Sequence, residues 1–175
     1  MAFCFNNLTN EIRQLMVDEV NYDVNNNNLY ISDRLTSEGE KIYCQLLLKN
    51  IREGNEESFA SSLSGYFNSH YRRKNSSGGY ILVNMPRNAP LTLAEGEFNR
   101  FYIRALCKFA IYNNKKIRVY RAKTVSNPRI ESEEKIGQIL DANCLLNDLR
   151  QNVGIDTVLG LPSVNSGLSI EIINF

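Results

Sequence analysis

The sequence predicts an α+β fold, in which N-terminal helices precede a long amphipathic helix that packs on a small β-sheet, with extended loops. The first observation is that helical periodicity follows several residues of the types that cap helices. The second is that one apolar helical face continues over residues 97–112. The third is that the clearest strand patterns, residues 116–122 and 168–172, lie in the second half. Helices and strands segregated in this way are typical of α+β domains.

Three N-caps are predicted in the first third of the chain. Thr9 begins a helix that we expect to end before Asn21, and the asparagine run at 25–28 predicts a loop. A short strand at 29–31 follows. Thr36 caps a second helix that ends at Gly54, and Asn55 caps a third that runs through residue 67.

The segment from 70 to 90 is predicted to be mostly irregular. Residues 70–74 form a basic cluster at the end of the third helix, where cations complement the helix dipole. Residues 75–79 are rich in serine and glycine and predict a mobile loop. We expect a strand at 80–83 and irregular backbone between the prolines of 85–90.

Residues 97–123 contain the most regular pattern in the sequence. Thr92 is predicted to cap a helix through Tyr112, which an Asn-Asn turn joins to the strand at 116–122. The later part predicts a short helix at 131–137, a helix capped by Asp141 with three inward-facing leucines, and a last strand. Those leucines are Leu145, Leu146 and Leu149.

Basic side chains recur along this helix and strand. Arg100, Arg104 and Lys108 follow an i, i+4, i+8 stripe opposite the apolar face, and Arg118 and Arg121 project from the strand. One prediction is a basic surface, extended by Lys123, that contacts DNA phosphates or an acidic partner. The alternative is that each base pairs with an acid from Glu95, Glu97 or residues 131–134.

Composition and motifs favour a protein without a conventional active site. The chain has 175 residues, 43% hydrophobic and 22% charged, which is sufficient for one globular domain spanning 1–175. Its formal net charge of +1 does not indicate a dedicated nucleic-acid-binding protein. We expect a soluble protein, because the sequence has no signal-peptide pattern and no apolar run of about 20 residues.

No residue pattern predicts catalysis, a cofactor or a metal. His70 is the single histidine, and it lies in the basic cluster without an orienting carboxylate. The four cysteines lack a CxxC pair, and we expect Cys44, Cys107 and Cys144 to be small buried hydrophobic residues. No GxSxG, GxGxxG, phosphate-loop or HExxH motif occurs. We therefore assign no catalytic, cofactor-binding or metal-binding residue.

Several segments taken together resemble a family of small proteins encoded by tailed phages and prophages. They are EFNRFYIRALCKFAI, VYRAK, NPRIESEEKIG, LLNDLR and GIDTVLGLPSVNSGLSI, within about residues 95–172. The family is found among virion-structure genes, near portal and head-completion functions. The resemblance implies a non-enzymatic head–tail connector or neck-ring subunit. It implies a homo-oligomeric ring that contacts the portal or neighbouring ring proteins, with possible non-specific contact with DNA. The expected location is the virion, and the host cytoplasm during assembly.

A ring subunit needs segments that become ordered on its neighbours. The segments predicted as flexible arms are 1–10, 21–28, 75–79 and 160–167. Two other hypotheses remain open. One is a small phage-encoded enzyme whose cleft holds Arg121 and the acids of 131–134, and the other is a basic-surface nucleic-acid-binding accessory protein.

Overall fold

The computed structural model describes residues 2–173, and the fold is α+β as predicted. The helices are α1 (Asn10–Asn25), α2 (Ser37–Glu53), α3 (Glu56–Leu63), α4 (Ala89–Tyr112), α5 (Ile130–Glu133) and α6 (Ala142–Gln151). The strands are β1 (His70–Lys74), β2 (Tyr80–Asn84), β3 (Lys116–Arg121), β4 (Ile139–Leu140) and β5 (Leu168–Ile173). A 3-10 turn at Ser64–Tyr66 follows α3.

Helix α4 is the centre of the molecule. It packs against α1, α3 and α6, and against β3 and β5 of the sheet. Every residue from 97 to 107 is buried, so this helix is enclosed on all sides instead of presenting one apolar face. The prediction of a long helix on a small sheet is confirmed, but the predicted polar face of that helix is wrong.

The sheet that supports α4 is antiparallel, with strand order β4-β3-β5. Ile117 lies opposite Ile172, and Val119 opposite Ile170. The side chain of Asn99 on α4 joins helix to sheet, because its amide donates to Leu168 O at 2.8 Å. A separate two-stranded sheet consists of β1 and β2.

Four predicted N-caps are confirmed by their hydrogen bonds. Thr9 Oγ1 accepts from Ile12 N at 3.3 Å and Thr36 Oγ1 from Gly39 N at 3.1 Å. Asn55 forms a capping box with Ser58, and Asp141 Oδ1 accepts from Cys144 N at 2.7 Å. These short polar side chains satisfy backbone N–H groups that a helix start leaves without partners, which is why the sequence located them.

Four helix boundaries differ from the sequence prediction. Helix α3 ends at Leu63 and passes into the 3-10 turn instead of continuing through residue 67, and α5 ends at Glu133 instead of residue 137. Helix α1 continues past Asn21 to Asn25, because Asp23 in its last turn makes buried contacts with α4. Helix α4 begins at Ala89 instead of near Thr92, since Pro90 fits the first helical turn, where its missing N–H is not needed. Residues 29–31 form no strand.

The basic cluster at 70–74 lies in a β-hairpin and not at a helix end. Lys74 lies opposite Tyr80 and His70 opposite Asn84 across the β1–β2 ladder. The serine–glycine segment 75–79 is the hairpin turn, and Gly78 there has a φ of 83°. Tyr71 and Val83, the half-buried residues of β1 and β2, lie opposite each other across the ladder and share one face.

Most segments predicted as arms pack on their own chain. In the first segment, of which residues 2–10 are described, Phe3 N donates to Glu56 Oε1 at 2.7 Å and the Phe5 ring lies 4.6 Å from that of Tyr102. The prediction is wrong for 21–28, whose first five residues are helical. In 160–167, Leu161 is buried and bonds to Thr157.

Candidate functional site

The predicted basic stripe on α4 is not a surface. Arg104 is fully buried and Arg100 is 5% exposed, so neither side chain can contact DNA or a partner subunit from its present position. Lys108 alone of the three is partly exposed, and its ammonium lies 3.3 Å from Glu19 Oε1. The predicted basic surface on α4 is wrong because α4 lies in the core, where charged groups must be paired.

Arg104 forms a buried ion cluster with α1. Its Nε donates to Glu19 Oε2 at 2.8 Å, and its two terminal nitrogens donate to Asp23 at 2.6 and 2.9 Å. Arg150 from α6 also donates to Glu19, at 2.6 and 3.0 Å. Burial alone would raise the pKa of the Glu19 carboxyl, but the hydrogen bonds from Arg150 and the charge of Arg104 outweigh it and lower that pKa.

Sequence reasoning assigned Arg104 no partner on α1, although a signal was present. Glu19 occupies a position in the apolar stripe of α1, between Met16 and Val20, which are fully buried. A carboxylate that continues the helical spacing of buried apolar residues is itself buried, and a buried carboxylate needs a cation as its partner. With Asp23 at i+4 on the same face, the pair predicts a basic residue on the facing helix.

Arg100 holds the end of α6 and the loop behind it. One terminal nitrogen donates to Leu149 O at 3.2 Å and to Asn152 O at 3.0 Å, and the other to Ile155 O at 3.4 Å. Its Nε lies 3.6 Å from Glu97 Oε1, which is an ion pair without a hydrogen bond. The pairing with Glu97 agrees with the alternative interpretation of the stripe.

The strand bases are also paired. Arg118 binds Glu171 at 2.6 Å, and Arg121 pairs with Glu133 and donates to Ser166 O at 2.6 Å. Lys123 pairs with Glu95. The alternative interpretation is therefore confirmed for Arg121 and Lys123, whose charges are neutralised within the chain.

A cleft of about 480 Å³ opens beside the N-terminal half of α4. Its walls are α4, the loop before α2, the loop after α6 and the segment before β5; the residues include Ser32, Arg34, Gly96, Glu97, Arg100 and Asn165. Its volume lies in the range of small-molecule sites, about 300–1,000 Å³. Neither Arg121 nor residues 131–134 are among the described residues that line it, which argues against the cleft predicted for an enzyme.

Glu97 is the chemically unusual residue of this cleft. The residue is 6% exposed, and its Oε2 has no hydrogen-bond partner within residues 2–173. Burial raises the pKa of its carboxyl to about 7, although Arg100 opposes the shift. The Arg100 Nε is likewise without a hydrogen bond in the described chain. Both residues line the cleft, while the two unpaired atoms are themselves buried beneath its wall.

A group of exposed aliphatic side chains overlaps the lining of this cleft, to which Ile155 and Val164 also belong. Exposed Ile and Val side chains lie on two neighbouring segments, residues 129–136 and 155–164. Two hydrogen bonds join these segments, from Arg129 to Val164 O at 2.6 Å and from Lys135 to Leu159 O at 2.5 Å. We call this group the aliphatic surface; its members are Ile130, Ile136, Ile155, Val158 and Val164. Val158 is 86% exposed, while its backbone N–H is fixed by the buried Asp148.

The remaining sequence-predicted candidates are dispersed. His70 is exposed on β1 and contacts Ser69. The four cysteines are free; Cys107 is buried as expected, Cys44 is half-buried, and Cys144 is exposed, against prediction, because it lies in the first turn of α6. Among residues 2–173 no group of three or more His, Cys, Asp or Glu is arranged to hold a metal. No helix in that range is long and apolar enough to cross a membrane.

Comparison with protein families, with curated proteins and with solved structures gives no match for this chain. The geometry of the residues is therefore the basis for the proposals below.

Proposed function

We propose that the chain is a non-enzymatic structural subunit of a tailed-phage virion, a head–tail connector or neck-ring protein that assembles in several copies. The observation that carries the proposal is the aliphatic surface. Exposed apolar patches of this kind mark protein–protein contacts in soluble proteins. The resemblance over about residues 95–172 supports the virion context.

The aliphatic surface is expected to contact a second copy of this chain. Its members are apolar, and the exposed Glu131 and Glu134 lie close to Ile130 and Ile136 in the chain. In a ring, one subunit presents this surface to a different face of its neighbour. Asp148 accepts a hydrogen bond from Leu159 N at 2.7 Å and Arg100 donates one to Ile155 O at 3.4 Å, so residues 155–159 of this surface are joined to α6 and α4.

The test is the oligomeric state of the purified protein by light scattering, together with mass spectrometry of purified virions. Val158→Asp places a charge on the aliphatic surface and is expected to dissociate the oligomer. The control is Tyr112→Asp, which alters an equally exposed apolar residue at the end of α4. A monomeric wild-type protein that is missing from virions overturns the proposal, as does equal dissociation by both variants.

A second candidate function is favoured by the cleft. Its volume of about 480 Å³ and its lining by Glu97, Arg100 and Asn165 favour a small polar ligand, which would pair with the unpartnered Glu97 Oε2 and Arg100 Nε after a shift of these side chains. A panel of small metabolites, screened for a rise in melting temperature, tests this function. A ligand that stabilises the wild type but not Glu97→Gln would support it, and no response to any compound would count against it.

A further inference from the structure

The β1–β2 hairpin carries a surface that none of the contacts above explains. We call the two strands and their turn, residues 70–84, the ribbon. Opposed residues of an antiparallel pair share a face, so the register defines one face by its members His70, Arg72, Lys74, Tyr80, Leu82 and Asn84. All six are exposed, with Tyr80 at 66% and Leu82 at 69%. Arg73 projects from the opposite face and is also exposed.

The excess of positive charge lies in the part of the chain that contains the ribbon. Residues 58–94 contain four Lys or Arg residues and no Asp or Glu. The rest of the chain holds the other 16 basic residues and all 19 acidic ones, so its formal charge is −3. The near-neutral total therefore hides a local positive region, which is the pattern expected of a surface that meets a polyanion.

The cations of the ribbon differ from those of α4 and β3 in their contacts. Within the described chain, no ion pair or side-chain hydrogen bond engages Arg72, Arg73 or Lys74, whereas Arg104 and Arg118 are both neutralised by carboxylates. Tyr71 at the base of the ribbon stacks under Arg34 at 4.4 Å, which places a further cation beside it. Unpaired, exposed cations are available to an external anion without first breaking a contact.

The dimensions of the ribbon fit a groove of duplex DNA. Each strand has five residues, or about 17 Å at about 3.4 Å per residue, and paired strands lie about 4.8 Å apart. The major groove of B-DNA is about 12 Å wide and admits a two-stranded β-ribbon. The turn at the tip contains only Asn, Ser and Gly, so no bulky or acidic side chain blocks its approach.

We propose that the ribbon binds duplex DNA without sequence preference. Arg72, Arg73 and Lys74 contact phosphates, and Tyr80 and Leu82 contact sugars and base edges in the groove. Duplex DNA is favoured over an acidic protein surface because the exposed cations lie on both faces of a two-stranded ribbon, which suits the two phosphate walls of a groove. The inference goes beyond the proposed function, since a ribbon of this kind serves a connector and a free DNA-binding protein equally.

The experiment measures binding to a short labelled duplex by fluorescence anisotropy over a range of salt concentrations. The variant is Arg72→Gln/Arg73→Gln/Lys74→Gln. Its matched control is Lys41→Gln/Lys49→Gln/Arg52→Gln, which removes three exposed cations from α2 and changes the net charge equally. Because all six side chains are exposed, both variants should unfold at the same urea concentration as the wild type.

Three phosphate contacts predict a slope of about −2.7 in a plot of log affinity against log salt, or about a 40-fold loss between about 50 and 200 mM salt. The ribbon variant should lose that part of the slope, and the α2 variant should keep it. Tyr80→Ser should weaken binding and leave the slope unchanged, since it removes no charge.

Three results would overturn the inference. They are no binding of the wild type at low salt, equal losses in the ribbon and α2 variants, and displacement of the duplex by poly-glutamate at the same concentration of negative charge. The last result would make an acidic protein surface the partner. Binding that depends on the ribbon in a protein missing from virions would retain this inference and overturn only the virion proposal.

Discussion

Replacing Arg104 with Met tests whether the buried ion cluster stabilises the fold. Met fills a similar volume, so the change removes the charge without leaving a large cavity. Arg104 and Glu19 are fully buried and Asp23 is 1% exposed. Glu19 keeps Arg150 and Lys108 after the substitution, but Asp23 loses both of its hydrogen bonds from Arg104.

The expected loss is about 3–5 kcal/mol in the free energy of unfolding, the usual cost of leaving one member of a buried pair without its partner. For a chain of this length, each kcal/mol lowers the melting temperature by about 2–4 °C, so the expected decrease is about 6–20 °C. A stability of about 5–15 kcal/mol is typical of folded domains, so this one change removes a large part of it.

Urea unfolding followed by circular dichroism measures the change. Arg118→Met is the control, because its ion pair with Glu171 is exposed on the arginine side and should contribute at most about 1 kcal/mol. The double variant Asp23→Leu/Arg104→Met should recover part of the loss, since it removes the unpaired charge. A loss for Arg104→Met no larger than that for Arg118→Met would contradict this prediction, as would a double variant less stable than Arg104→Met.

Three further predictions concern Glu97 and two glycines. Because burial raises the pKa of Glu97 to about 7, above its unfolded value of about 4.3, the folded state binds this proton more tightly and loses stability as pH rises between those values. Glu97→Gln should therefore become more stable relative to the wild type between about pH 5 and pH 8 in urea titrations, on the order of 3 kcal/mol, and a constant difference would contradict this. Gly96→Ala should raise stability by about 0.5–1 kcal/mol, because a Cβ at this helical position meets nothing within 4 Å; a lower melting temperature would show a contact that this structure lacks. Gly167→Ala should lower stability by about 1–3 kcal/mol, because its φ is 66° and a Cβ there would lie 2.1 Å from Lys123 O; an unchanged urea midpoint would exclude this strain.

The sequence predicted helix starts correctly where a single side chain caps the helix. The caps at Thr9, Thr36, Asn55 and Asp141 were correct because each depends on one side chain and the next three residues. The boundary past Asn21 was missed because it depends on tertiary contacts made by the last turn of α1. Helix propensity is a weak guide where packing decides.

Half of the hairpin at 70–84 was missed for a related reason: the strand predicted at 80–83 is confirmed as β2, but β1 was not predicted. Its β1 strand has one half-buried residue, Tyr71, and four exposed ones, so no apolar alternation marks it as a strand. Residues 70–74 form a strand because they pair with β2 across a Gly-containing turn. The pattern of these five residues alone does not show that pairing. The sequence showed that residues 70–74 are basic, but it did not show that they form a strand.

Regular spacing of charges on a helix does not distinguish a binding surface from a core. Arg100 and Arg104 have the spacing of a solvent-facing stripe, yet α4 is enclosed, and each guanidinium is bound by groups on other elements. The decisive observation is whether the rest of the chain supplies partners. Glu19 and Asp23 supply them for Arg104, while residues 58–94 supply no carboxylate for the ribbon. Because opposite charges in a folded chain pair where they are buried, the exposed cations that no carboxylate of the described chain contacts are the ones available to an external polyanion. DNA affinity should therefore follow the charge of the ribbon and not the net charge of the protein.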